Sequence, residues 1–147
     1  MLPSRGEYER RPLSGVRWLA IHHSAVGVDS TSRSIADYHV NVQGWEGIGY
    51  HYVVHWDGTI DYVGDIETSR ANVALINDRV IGICIPGNWE ERWPPTSALT
   101  ATRALVAWLL TLVPQAQVVG HREIAQDGWA TTCPGPLWEQ WRQAITD

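Results

Sequence analysis

The segment 16–25, VRWLAIHHSA, constrains the fold more than any other part of the chain, because an apolar run ends there in two adjacent histidines. The run is short and rich in strand-forming residues, which predicts a buried β-strand. Successive strand side chains point to opposite faces, so only one of His22 and His23 can face a site on a given side of the sheet. Open α/β sheets bind ligands beyond the carboxyl ends of their strands, which makes this a candidate position for a metal ligand or a base. The segment alone fits equally well a strand whose histidines only form local hydrogen bonds.

Strands and helices are mixed along the rest of the chain. Further strands are expected at 47–56, 59–63, 80–85 and 117–120, and helices from about Ser30 to before Gly44, at 96–112 and at 137–145. The Asp-Gly pair at 57–58 predicts a hairpin with a two-residue turn between two of the strands. We therefore expect an α/β fold, with a mixed central β-sheet of about five strands flanked by about three helices. The 147 residues suit a single domain, with its core at about residues 15–143 and residues 1–14 as a surface arm.

Charge and composition argue against several classes of partner. The chain has eleven arginines, no lysine and sixteen acidic residues, for a formal net charge of −5. Nucleic-acid binding requires a basic face, so no nucleic-acid partner is expected. No apolar run approaches the roughly 18 residues of a membrane span, and the charged amino terminus lacks the apolar core of a secretory signal. We expect a monomer that is made in the cytoplasm and has no membrane partner.

Two histidines and a cysteine stand at strand ends or in loops: His22, His121 and Cys133. Two neutral imidazoles and one thiolate form a complete ligand set for a catalytic zinc, which keeps a fourth position open. They leave about one net positive charge on the metal, which lowers the pKa of a water and polarises a carbonyl. The spacing of the three residues does not by itself distinguish this set from chance. The only other cysteine, Cys84, is expected to be a buried apolar side chain rather than a disulfide partner.

Five short strings in a fixed order carry a family resemblance: VRWLAIHHSA, GWEGIGYHY with HWDGT, VIGICIPGNW, VVGHREIA and TTCPG. Together they resemble the zinc-dependent N-acetylmuramoyl-L-alanine amidases of type 2. That family includes small phage lysozymes with amidase activity and the peptidoglycan recognition proteins. The resemblance covers about residues 15–143. It implies the family fold, one Zn²⁺ per chain, and hydrolysis of the amide bond between the muramic acid lactyl group and L-alanine in peptidoglycan.

The same resemblance implies roles for individual residues. It makes His22, rather than His23, a zinc ligand together with His121 and Cys133. It also makes Tyr50 a catalytic residue beside the scissile carbonyl. The partner would be peptidoglycan, both its glycan strand and its stem peptide. An endolysin-type enzyme of a phage or prophage, made without a signal peptide and acting on the bacterial cell wall, fits this pattern.

Thr131 is the second catalytic candidate, because the family carries Lys or Thr two positions before the cysteine. The loop between His121 and Cys133 is longer than is usual in the family. The match of Thr131 to the family position therefore depends on where the extra residues of that loop are placed. Cys84 stands where some branches carry a catalytic glutamate, so no glutamate base is expected. Arg70 occupies the position of a family histidine. Any contact with substrate that this histidine makes in the family is therefore not expected in this chain.

Two alternatives to this function remain open at the level of sequence. A non-catalytic peptidoglycan-binding module arises in this fold when a zinc ligand or the tyrosine is lost, whereas this chain has all four residues. A zinc hydrolase that acts on another amide is the second alternative.

The other histidines and the tryptophans are assigned more ordinary roles. His39 is expected as a partly exposed helix residue, and His51, which follows Tyr50 on a strand, as a core or supporting residue on the opposite face. Three tryptophans on apolar helix stripes are expected in the core: Trp108, Trp138 and Trp141. Four tryptophans in loops beside the motifs are candidates to line a substrate groove: Trp45, Trp89, Trp93 and Trp129.

Overall fold

The computed structural model describes residues 1–146. Five strands form one sheet: β1 (Trp18–His23), β2 (Tyr52–Val54), β3 (Ile60–Tyr62), β4 (Val80–Ile85) and β5 (Gln117–Gly120). Their order across the sheet is β3-β2-β4-β1-β5, in which only the β2–β3 hairpin is antiparallel. This confirms the predicted α/β fold with a mixed five-stranded sheet. The strand expected at 47–56 is shorter than predicted, because residues 47–51 approach the site as a loop.

In the described part of the chain, five α-helices accompany the sheet: α1 (Ser32–Asn41), α2 (Thr96–Leu112), α3 (His121–Ile124), α4 (Trp138–Trp141) and α5 (Gln143–Thr146). The α1 helix begins as the sequence predicts, since the hydroxyl of Thr31 accepts a hydrogen bond from the backbone N–H of Ser34 at 3.0 Å. The last predicted helix is divided into α4 and α5. The one-turn helix α3 was not predicted, because four residues are too few to show a helical period. Within residues 1–146, no helix combines the length and apolar character needed to cross a bilayer.

The two faces of β1 point to different surroundings. Leu19 and Ile21 face the main core, where side chains of β4, α2, α4 and α5 pack together. Ala20 lies on the opposite face, beneath the segment 71–77, and packs against Val73. Because side chains alternate along a strand, His22 shares the face of Ala20 and His23 shares the face of the main core. The alternation therefore places His22, and not His23, on the side of the sheet that the segment 71–77 covers.

The tryptophans divide differently from expectation. Trp138 and Trp141 are completely buried, which confirms their predicted place in the core. Trp108 is 51% exposed, so the prediction that it lies in the core is wrong. The segment 104–113 is apolar around most of its circumference, and its buried stripe follows Leu105 and Leu109 instead. Periodicity cannot select the buried face of a helix whose apolar residues surround it.

Trp89 is 1% exposed, and its indole N–H donates to the carbonyl oxygen of Ile85 at 3.0 Å. Trp89, a candidate to line a substrate groove, therefore packs in the core instead, because the loop after β4 turns back onto it. Trp93 and Trp129 are exposed, and Trp45 is half-buried.

Candidate metal centre

His22, His121 and Cys133 converge beyond the carboxyl ends of β1 and β5. One potential ligand atom from each residue lies within 4.8 Å of the other two. The two imidazole rings have centroids 4.6 Å apart, and the Sγ of Cys133 lies 3.7 Å from the Nδ1 of His22. Two nitrogen donors and one sulfur donor are the set that a catalytic zinc accepts with one position open to solvent. The structure thus brings together the three residues that the sequence analysis singled out, and their chemistry fits that ion.

Parallel strand pairing accounts for the two histidines. Ile21 of β1 pairs with Gly120, the last residue of β5. His22 is the next residue of β1, and His121 follows the end of β5 directly. Parallel neighbours carry their carboxyl ends to the same edge of the sheet. The register of one strand pair therefore sets the spacing of two of the three donors.

Cys133 is held in place by backbone hydrogen bonds from both sides of the site. The N–H of Arg122 donates to the carbonyl oxygen of Cys133 at 2.7 Å. The N–H of His23 points at the sulfur, 3.3 Å away. The hydroxyl oxygen of Thr131 accepts from the N–H of Cys133 at 3.2 Å. These contacts fix the loop that carries the third donor and place Thr131 beside it.

Burial favours the neutral forms of the three donors in the metal-free protein. It lowers the pKa of His22 well below the usual value, with the neighbouring His121 ring adding to the effect, and it lowers the pKa of His121 to about 4. Burial also raises the pKa of the Cys133 thiol to about 12, against the opposing effect of the His23 N–H. Neutral imidazoles keep a lone pair free for a cation, and a metal binds the thiolate by displacing its proton.

Tyr50 stands beside the three donors, with its ring centroid 5.1 Å from that of His22. Burial raises its pKa well above the usual value, and the nearby thiol of Cys84 adds to the effect. The hydroxyl therefore stays protonated and can donate a hydrogen bond. Tyr50 and the donors line a cavity of about 260 Å³. The same cavity is also lined by Trp45, Asn72 and Thr131.

His39 supports this tyrosine. It is 7% exposed, so the expectation of a partly exposed helix residue is wrong. Its Nδ1 accepts a hydrogen bond from the backbone N–H of Gly49 at 2.9 Å, and its ring packs between those of Trp45 and Tyr50. The sequence indicates a helix at this position, but no local signal shows that a loop N–H would supply the partner of the His39 ring.

Asn72 is a site residue that the sequence analysis missed. Its Oδ1 lies 3.1 Å from the Nε2 of His22. Arg70, which the sequence analysis compared with a family histidine, turns away from the donors. Its guanidinium donates to the carbonyl oxygen of Ile48 at 2.9 Å and lies over the ring of Tyr8.

His51 and Cys84 occupy the supporting positions that the sequence predicts. His51 is completely buried, with its Nε2 2.8 Å from the carbonyl oxygen of Thr68 and its Nδ1 accepting from the N–H of Gly82 at 3.0 Å. Cys84 is buried and free, as is Cys133, so the two form no disulfide.

Two further concavities continue the central cavity on either side. One, of about 280 Å³, shares Trp45, Asn72 and His121 with it and extends to Trp129. The other, of about 550 Å³, shares Tyr50 and reaches the face of α1. The three adjoining concavities together form a groove that includes the donors.

Residues 10–136 match the model of a family described as N-acetylmuramoyl-L-alanine amidase. Among curated proteins, the chain is 31% identical over 141 residues to peptidoglycan recognition protein 1 of Bos indicus, which covers 86% of this chain and 72% of that protein. It is also 26% identical over 128 residues to the endolysin of Enterobacteria phage K11, which covers 82% of each.

Solved structures show the same fold. The Ph2119 endolysin from the Thermus scotoductus MAT2119 bacteriophage superposes with a TM-score of 0.85 at 28% identity, covering 97% of this chain and 92% of that chain. A mutant of Drosophila PGRP-LB in complex with tracheal cytotoxin superposes with a TM-score of 0.77 at 28% identity, covering 92% and 83%.

Proposed function

Because this chain belongs to the N-acetylmuramoyl-L-alanine amidase family, we propose that it is a zinc-dependent hydrolase of peptidoglycan. The bond it cleaves would be the amide between the lactyl group of N-acetylmuramic acid and L-alanine. The observation that carries the proposal is the convergence of His22, His121 and Cys133 beside Tyr50 in an open groove. The endolysin names of two relatives support a phage or prophage enzyme that acts on the bacterial wall.

His22, His121 and Cys133 would hold one Zn²⁺ per chain. Bound zinc would supply positive charge that polarises the scissile carbonyl and lowers the pKa of a water. The backbone N–H of His23, directed at the Cys133 sulfur, stabilises the thiolate that the ion requires. The protein's share of the chemistry is to hold these donors rigidly and to leave one side open to the groove.

Tyr50 would act on the oxyanion that forms as water attacks the carbonyl. Its hydroxyl remains a donor because burial holds it in the protonated form. A preorganised donor of this kind stabilises a transition state by about 3 kcal/mol. Thr131 accepts from the Cys133 N–H through its oxygen, which leaves its own hydroxyl proton free to donate toward the substrate. Both residues therefore serve as hydrogen-bond donors around the reacting carbonyl.

The groove would accommodate both the glycan strand and the stem peptide. A related recognition protein is seen in complex with tracheal cytotoxin, and its chain aligns with most of this one. Trp45 and Trp129 lie on one arm of the groove, where flat aromatic rings are suited to packing against sugars or apolar peptide groups. We infer a monomer as the active unit, since all of the proposed chemistry lies within one chain.

The other candidate is a peptidoglycan-binding module without catalysis, which the 31% identity to a recognition protein favours. Retention of the three donors and of Tyr50 favours the amidase. The two functions separate in one experiment on purified cell wall, in which sedimentation measures binding and release of new N-terminal alanine measures cleavage.

The amidase predicts that chelation abolishes alanine release and that added zinc restores it. His22→Ala should be inactive but folded, whereas His55→Ala, on the β2–β3 hairpin and outside the site, serves as the matched control and should remain active. Sedimentation with the wall but no alanine release by zinc-loaded wild type would indicate the binding module. Release that survives both chelation and His22→Ala would contradict the zinc mechanism.

A further inference from the structure

The two ring nitrogens of His22 contact different groups. The Nδ1 lies 3.7 Å from the Cys133 sulfur, on the side where the three donors meet. The Nε2 lies 3.1 Å from the Oδ1 of Asn72. A neutral imidazole has one N–H and one lone pair, so the partner of either nitrogen decides the state of the other.

The orientation of the Asn72 amide is determined by a second hydrogen bond. Its Nδ2 donates to the carbonyl oxygen of Arg70 at 3.0 Å. A flipped amide would place its oxygen against that carbonyl oxygen, where neither atom can donate. The oxygen of Asn72 therefore faces His22, and the Nε2 must carry the proton. The lone pair is then left on Nδ1, which faces Cys133.

Contacts fix both the backbone and the side-chain amide of Asn72. The Oδ1 of Asn77 accepts from the backbone N–H groups of Asn72 and Val73, at 2.9 and 2.8 Å. The amide also lies against Gly82 in the middle of β4, where an added Cβ would meet the Cγ and Oδ1 of Asn72 at 2.7 Å. Only glycine at position 82 leaves room for the side chain of Asn72, so the position of this side chain depends on Gly82 in β4.

We infer that Asn72 is a positioning residue that fixes His22 in the Nε2–H tautomer and directs its Nδ1 toward the metal position. The inference rests on the proposed zinc function, because it assigns a role within that site. Metal-binding histidines are commonly oriented by such an acceptor, often a carboxylate. An amide orients the ring without adding a negative charge to the site, so more of the positive charge of the ion would remain to polarise a substrate carbonyl.

The direct test is the tautomer of His22 in the metal-free wild-type protein, read from its imidazole ¹⁵N shifts at pH 7.5. We expect the proton on Nε2. Asn72→Ala should give a mixture of tautomers, because no side-chain acceptor then fixes the proton on Nε2. A proton on Nδ1 in wild type would overturn the inference, whether or not any variant folds.

Zinc affinity provides the second measurement, by competition with a chromophoric chelator. We expect Asn72→Ala to bind zinc 10- to 100-fold more weakly. The matched control Asn88→Ala, at an exposed position, should stay within twofold of wild type. An unchanged affinity and tautomer in Asn72→Ala would overturn the inference.

The two measurements also separate this inference from the proposed function. If wild type took up no zinc, the proposed function would fail, while the tautomer in the metal-free protein would still decide whether Asn72 orients His22. If zinc bound and wall hydrolysis occurred but Asn72→Ala matched wild type in both measurements, only the inference about Asn72 would fail.

Discussion

The indole N–H of Trp138 donates to the Oε2 of Glu123 at 2.7 Å, which joins α4 to the short helix that begins with His121. The same oxygen accepts from the backbone N–H of Gly120 at 2.6 Å, and Arg142 donates to the other carboxylate oxygen at 2.9 Å. One carboxylate therefore ties the end of β5 to the carboxyl-terminal helices. The place of His121 in the site depends on this tie.

Replacement of Glu123 by alanine should lower the free energy of unfolding by about 2–3 kcal/mol, because three donors lose their shared acceptor. Urea unfolding of the metal-free protein measures the effect. Trp138→Phe removes one of the three bonds and also leaves a cavity in the core, so it should cost more than the roughly 1 kcal/mol of a single hydrogen bond. A loss below about 0.5 kcal/mol for Glu123→Ala would show that water replaces the carboxylate without cost.

Replacement of Tyr50 by phenylalanine should reduce the rate of alanine release from cell wall by about 100-fold while leaving bound zinc unchanged. The reason is that the ring is kept and only the proposed donor to the oxyanion is removed. Metal analysis and rate measurement on the same preparation check this prediction. Equal turnover in the variant and wild type would remove Tyr50 from the chemistry.

Replacement of His39 by leucine should lower both stability and activity without changing zinc affinity. The leucine fills the space but leaves the N–H of Gly49 without its acceptor, at a cost of about 1–3 kcal/mol. Because Tyr50 follows Gly49, its position becomes less defined. His39→Gln, which keeps an acceptor, should recover part of both losses. Full activity in His39→Leu would contradict a positioning role.

Protonation of His51 should lower the free energy of unfolding in acid. Burial is the main cause that lowers its pKa to about 3 in the folded state, against about 6.5 in the unfolded chain. As the pH falls, the unfolded chain therefore binds the proton before the folded protein does. The contribution of neutral His51 to the free energy of unfolding is fully present above about pH 6.5. It is lost as the pH falls toward 3, at up to about 1.4 kcal/mol per pH unit.

The pH dependence is measured by urea unfolding of the metal-free protein at pH 7.5 and pH 5. Wild type should lose about 2 kcal/mol more over this interval than His51→Asn, which cannot take up the proton. Parallel losses in the two proteins would show that other groups account for the acid sensitivity.

The sequence by itself determined the position of the β2–β3 hairpin and the burial of β1 and β4. The connection is longer than the two residues that Asp57-Gly58 predicts, because the strand pairing ends at Val54 and Ile60. These features depend on alternation, turn residues and apolar runs, which act over a few neighbouring residues. The resemblance of five strings also identified the family, which the match over residues 10–136 confirms. The resemblance also named the three candidate metal donors, which the spacing of histidines and cysteines alone could not distinguish from chance.

Only the tertiary structure decided which side chains meet. Asn72 reaches His22 across 50 positions of sequence, and it does so because the segment 71–77 lies over Gly82. His39 and Trp108 were misjudged for the same reason, since the surroundings of a helix side chain are set by elements distant in the chain. Strand register and long-range hydrogen bonds fix such contacts, and neither leaves a local pattern in the sequence.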